Sequence, residues 1–91
     1  MIIKEGKVED FKELAGKILL PEAQKMPECK LMSLFQNVGN EREFIFNEKW
    51  DTEDAVHRYK ERLIALIGQP NEGEEFPRVM NEMIEEDEDL V

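Results

Sequence analysis

Glu48, Trp50, His57 and Tyr59 lie close together in the chain and are residue types that can accept, donate and shield a proton. A carboxylate set among Phe44, Phe46 and Trp50 would be partly desolvated, which raises its pKa and suits it to acid or base work. The same Glu can instead pair with an Arg or Lys or cap a backbone, since structural ion pairs also perturb titration. His57 and Tyr59 are two apart on a helix and do not face the same way, so only one can look into a pocket beside Trp50. Tyr59 belongs to an apolar stripe. His57 sits off it among Asp54, Arg58 and Glu61, where a surface residue is the plain alternative.

Other chemistries find little support. His57 has no second His or Cys at ligand spacing, so no metal site is expected. Cys29 is the single cysteine, which excludes an internal disulfide, and its polar loop offers no activating partner for a nucleophile. No Gly-rich phosphate loop occurs, and Met26, Met32, Met80 and Met83 read as core or interface filler.

The elements that must position these residues follow from periodicity. Ile2 and Ile3 begin a very short strand, ended by Lys4-Glu5-Gly6-Lys7. Phe11, Leu14, Ala15, Ile18 and Leu19 then recur at helical spacing, predicting an amphipathic helix from Val8 to about Ala23 that kinks or ends near Leu20 because of Pro21. Lys30 to Gln36 and Glu43 to Trp50 read as a hairpin around Asn37-Val38-Gly39-Asn40. In its second strand Phe44, Phe46, Glu48 and Trp50 share one face. In its first, Met32 and Leu34 oppose Leu31 and Phe35, so both faces need cover, one of them from more of this chain or a second copy of it. Asp51 or Thr52 caps the next helix, whose stripe is Val56, Tyr59, Leu63, Leu66 and Ile67, closed by Gly68-Gln69-Pro70. Phe76, Val79, Met80, Met83 and Ile84 give a third helical stripe, running into the acidic stretch Glu85 to Asp89.

Residues 1–71 carry 13 acidic and 11 basic side chains, whereas residues 72–91 carry 9 acidic and only Arg78. The acidity is a property of the tail. Without a basic stripe, binding to nucleic acid or to anionic lipid is not expected. No run reaches the length of a membrane span, and Met1-Ile2-Ile3-Lys4 is too soon charged for a signal peptide, so a cytoplasmic location is expected. The reading is one α+β domain over residues 1–91, with its core at 3–67 and an acidic segment at 72–91.

Ile3-Lys4-Glu5-Gly6-Lys7-Val8-Glu9-Asp10-Phe11, then Met26-Pro27-Glu28-Cys29-Lys30-Leu31, then Arg42-Glu43-Phe44-Ile45-Phe46-Asn47-Glu48-Lys49-Trp50, and Asp54-Ala55-Val56 resemble, in that order, the antibiotic-biosynthesis-monooxygenase-like (ABM) family. The resemblance implies a ferredoxin-like fold paired into a dimeric α/β barrel, here with a reduced first strand and a C-terminal acidic helix. It also implies a homodimer acting as a cofactor-independent monooxygenase on a small aromatic or quinol-like substrate. Glu48, Tyr59 and His57 would be catalytic and Trp50 and Phe46 substrate-binding, with no cofactor. The family's haem degraders use a first-strand Asn and a later helical His. This chain has no Asn in Met1-Ile2-Ile3 and has Gln69 near the place of that His, so haem degradation is not expected. The alternative is a non-catalytic dimeric module of the same fold, its aromatic cluster serving only as core.

Overall fold

A computed structural model describes residues 1–73 and 76–86. Strand β1 is Ile2–Ile3, and Gly6, at φ +82°, turns the chain into helix α1, Val8–Leu14. A π-helical turn, Ala15–Leu19, links α1 to α2, Leu20–Gln24. The helix therefore does not stop near Leu20. Pro21 has no N–H for the α ladder, and the widened turn, closed by the Leu20 N–H on the Ala15 carbonyl, carries the helix past it.

The hairpin is β2, Cys29–Asn37, and β3, Asn40–Trp50, with Val38 and Gly39 at its tip. Its register sets Met32 opposite Glu48 and Leu34 opposite Phe46 on the helix-facing side, and Leu31 opposite Lys49 and Phe35 opposite Ile45 on the other. Thr52 caps α3, Glu53–Ile67, by accepting the Ala55 N–H at 3.1 Å. Gly68, at φ +104°, ends it with its N–H on the Ile64 carbonyl.

The C-terminal helical stripe is shorter than its sequence suggests. Helix α4, Arg78–Met83, ends before Ile84, and Ile84–Glu86 is strand β4. β4 lies beside β1, with Ile3 opposite Ile84, and the Lys4 N–H donates to the Met83 carbonyl at 2.8 Å. Pairing with β1 overrides the weak helical preference of a β-branched residue followed by acids. The acidic segment is thus no helix from Ile84 to Glu86; residues 87–91, where the rest of the acidic run falls, lie outside the described residues. The antiparallel sheet has the order β2-β3-β1-β4, with β1 central despite its two residues, and this with the βαββαβ path is the ferredoxin-like α+β fold.

The helices cover one face. Ile3, Phe11, Leu19 and Phe44 are fully buried between helices and sheet, and the Phe11 ring meets Phe44 at 4.9 Å and Phe46 at 6.3 Å. The opposite face leaves Leu31, Phe35 and Ile45 at 40%, 56% and 57% exposure. Among the described residues no helix is long and apolar enough to cross a membrane.

Glu22 joins the two long helical segments. It is largely buried and accepts Lys25 Nζ at 2.8 Å and Arg62 of α3 at 2.7 Å. The Lys25 and then the Arg62 hydrogen bonds hold its carboxyl below the ordinary 4.5. A depressed folded pKa gives stability that is present above the unfolded value and lost as pH falls through the folded one. The thermal midpoint should therefore drop as pH is lowered below about 4.5, and Glu22→Gln should make that acid limb shallower. Parallel limbs for the two proteins in thermal melts would contradict the linkage.

Candidate active site

A cavity of about 80 Å³ lies where the sheet, the helices and the C-terminal segment meet. The sheet side contributes Met1, Met32, Phe46 and Glu48. The helices contribute Leu19, Tyr59 and Leu63, and the chain after α3 contributes Phe76 and Met80. Alternation along β3 directs Phe46 and Glu48 to this side, and a four-residue step along α3 aligns Tyr59 with Leu63.

The lining is apolar apart from two groups. The Tyr59 hydroxyl donates to the Leu19 carbonyl at 2.6 Å, a buried bond from α3 to the π-helical turn. Burial, reinforced by the negative charge of Glu48, pushes the phenol well above its ordinary value of 10. Tyr59 thus keeps its proton at any ordinary pH and spends it on Leu19, which suits it to hold the wall rather than to exchange protons.

Glu48 is exposed at the cavity rim, so its aromatic neighbours do not bury it in the single chain as its position in the sequence suggests. Its Oε1 accepts the Trp50 Nε1–H at 3.1 Å, which orients the carboxylate. Trp50 lies outside the lining but packs on Tyr59 at 5.2 Å between centroids. Glu48, Trp50, Tyr59 and Phe46 are therefore brought together. His57 is not: it is exposed on α3, outside the lining.

Cys29 is nearer to this cluster than its loop position suggests, paired in register with Trp50. Its Sγ–H donates to the Leu31 carbonyl at 3.5 Å, and burial first, then the Glu48 charge, pushes the thiol up. A raised thiol is a poor nucleophile near neutrality. Sequence reasoning placed Leu19, Leu63 and Met80 in helical stripes without assigning them a pocket. Met1 carried no signal at all.

A wider, shallow groove of about 470 Å³ runs between the α2–β2 connection and α3. Its cations are engaged locally: Lys25 and Arg62 on Glu22, and Arg58 on Asp54 and Glu28. It lacks the apolar walls of the smaller cavity.

A family model described as antibiotic biosynthesis monooxygenase matches residues 1–63. The chain belongs to the ABM family. No curated protein and no solved structure gave a match. The family match spans β1 through most of α3, hence the hairpin, Glu48 and Tyr59, and stops before Phe76 and Met80.

Tyr59 is the single tyrosine, so its titration can be read directly. Phenolate absorbance should stay absent in the folded protein well above pH 10 and appear on unfolding at that pH. The sign follows: a raised folded pKa gives stability that is complete below the unfolded value and lost as pH rises. Tyr59→Phe should also cost about 0.5–1.5 kcal/mol in urea unfolding, by removing the buried hydrogen bond that ties α3 to Leu19. A phenol titrating normally in the folded state would refute the buried hydrogen bond.

Proposed function

We propose that this ABM-family chain is a cofactor-independent monooxygenase that acts on a small aromatic or quinol-like molecule and works as a homodimer. The observation that carries the reading is an apolar cavity with one ionisable carboxylate at its rim, held by the indole of Trp50. A ring entering between Phe46 and Tyr59 would set its hydroxyl near Glu48, which accepts the proton. The resulting anion passes an electron to dioxygen, the two radicals join at a ring carbon, and the proton held by Glu48 returns to the peroxide to give a hydroperoxide. Loss of water then leaves a hydroxyquinone. One oxygen atom enters the product, the other leaves as water, and the substrate supplies all the electrons. The protein contributes a dry wall and a base. His57 has no part in this scheme.

The exposed face bearing Leu31, Phe35 and Ile45 supports the homodimer, because a second sheet laid on it would bury an apolar patch that the helices do not reach. A second reading, a non-catalytic dimeric module, draws support from the size of the cavity. An apolar cavity of about 150 Å³ holds benzene, and this one is smaller.

Oxygen uptake with a panel of quinols should exceed that of Glu48→Gln by about a hundredfold or more, the usual contribution of a positioned base. Equal uptake by the two proteins would reject the monooxygenase and leave the module. For the dimer, light scattering at micromolar concentration should report twice the 10.7 kDa chain mass, and Phe35→Lys should return the monomer. A monomeric parent protein would reject the pairing.

A further inference from the structure

Two walls of the cavity come from chain that the family model does not reach. Phe76 and Met80 follow the last matched residue, yet they close the space between Leu19, Tyr59 and Phe46. Their placement is built rather than incidental. The Arg78 N–H donates to the Gln69 carbonyl at 3.2 Å and Arg78 Nε to Asn71 Oδ1 at 2.8 Å, tying the segment to the end of α3. Asn81 Nδ2 donates to the Phe76 carbonyl at 2.6 Å and fixes the backbone that carries the ring. At the far end, Lys4 donates to Met83, and Arg42 of β3 bonds the Ile3 carbonyl through Nε and pairs with Glu85. Met80 is buried and its neighbour Val79 also packs against the core. A segment held at both ends presents Phe76 and Met80 as a fixed wall.

We infer that Phe76 and Met80 are the specificity determinants of this cavity, restricting it to a single-ring ligand that would otherwise share the space with a second fused ring. The inference rests on the proposed aromatic ligand, but not on any turnover of it. At about 80 Å³ the cavity is below the roughly 150 Å³ that holds benzene, so a single ring fits only with part of it at the open rim and a fused pair has no room; Phe76, on the lining, is the side chain whose truncation adds that room. Phe76 is only half-buried and sits outside the helix, so shortening it opens the cavity without removing a fully packed core residue.

The test is binding under anaerobic conditions, read by isothermal titration calorimetry. Hydroquinone and naphthohydroquinone serve as the one-ring and two-ring probes. The parent protein should prefer hydroquinone. Phe76→Ala should reverse the preference, with naphthohydroquinone bound about tenfold more tightly than by the parent. Phe76→Trp should weaken both probes, a second variant whose effect runs opposite to any general loosening of the fold. A preference unchanged in Phe76→Ala, or no binding of either probe to any of the three proteins, overturns the inference. A reversed preference without oxygen uptake upholds this inference and rejects the monooxygenase; uptake with an unchanged preference does the reverse.

Discussion

The bond from the Tyr59 hydroxyl to the Leu19 carbonyl is the constraint on which the site depends. The α ladder ahead of Pro21 is one donor short, and the chain responds with the π-helical turn that ends at Leu19. A phenol from α3 reaches that turn and binds its last carbonyl. One hydrogen bond thus ties two helical segments together above the sheet, and both lend side chains to the cavity. The same bond removes Tyr59 from proton transfer, because a buried phenol already donating to a carbonyl gains nothing by ionising. Glu48 is left as the ionisable group on the lining, and Trp50 serves both residues, as hydrogen-bond donor to Glu48 and as packing surface for Tyr59.

The sheet divides its two faces between different tasks. On the helix side Phe11, Phe44 and Ile3 form a core without polar interruption. On the other side Leu31, Phe35 and Ile45 alternate with Ser33, Asn47 and Lys49, a mixed surface that is too apolar for open solvent and too polar for a core. A chain of 91 residues has little core to spare, so apolar area on the second face is stabilising only when covered. Covering it would also press on the strands that carry Phe46 and Glu48, which links the second face to the cavity through the shared backbone of β3.

Much of this was legible from residue order. Alternation in Phe44, Phe46, Glu48 and Trp50 gave the correct face of β3, and the helical stripe separated Tyr59 from His57. The ferredoxin-like order was reachable only through family resemblance, because β1 has two residues and β4 three, too few for any period to show. Ile84 read as helix since it continues the spacing of Met80 and Met83; its true role depends on pairing with Ile3, a contact between chain ends that local pattern does not encode. The exposure of Glu48 was missed for a similar reason. Its aromatic neighbours lie beside and beneath it, on Phe11 and Tyr59, and leave the carboxylate at the rim. Pro21 signalled a break, but a helix has a third option besides kinking and ending, and the π turn is that option.

The segment after α3 completes two things at once. Through β4 it covers the open edge of β1, so that the shortest strand can sit in the middle of the sheet. Through Phe76 and Met80 it walls the cavity. Arg42 couples the two roles, since one side chain on β3 bonds the carbonyl of Ile3 and the carboxylate of Glu85, holding β3, β1 and β4 in line. A change that loosens β4 must therefore also move the wall, because α4 is only six residues long and cannot absorb the shift independently. Sheet completion and cavity size are, on this geometry, one variable.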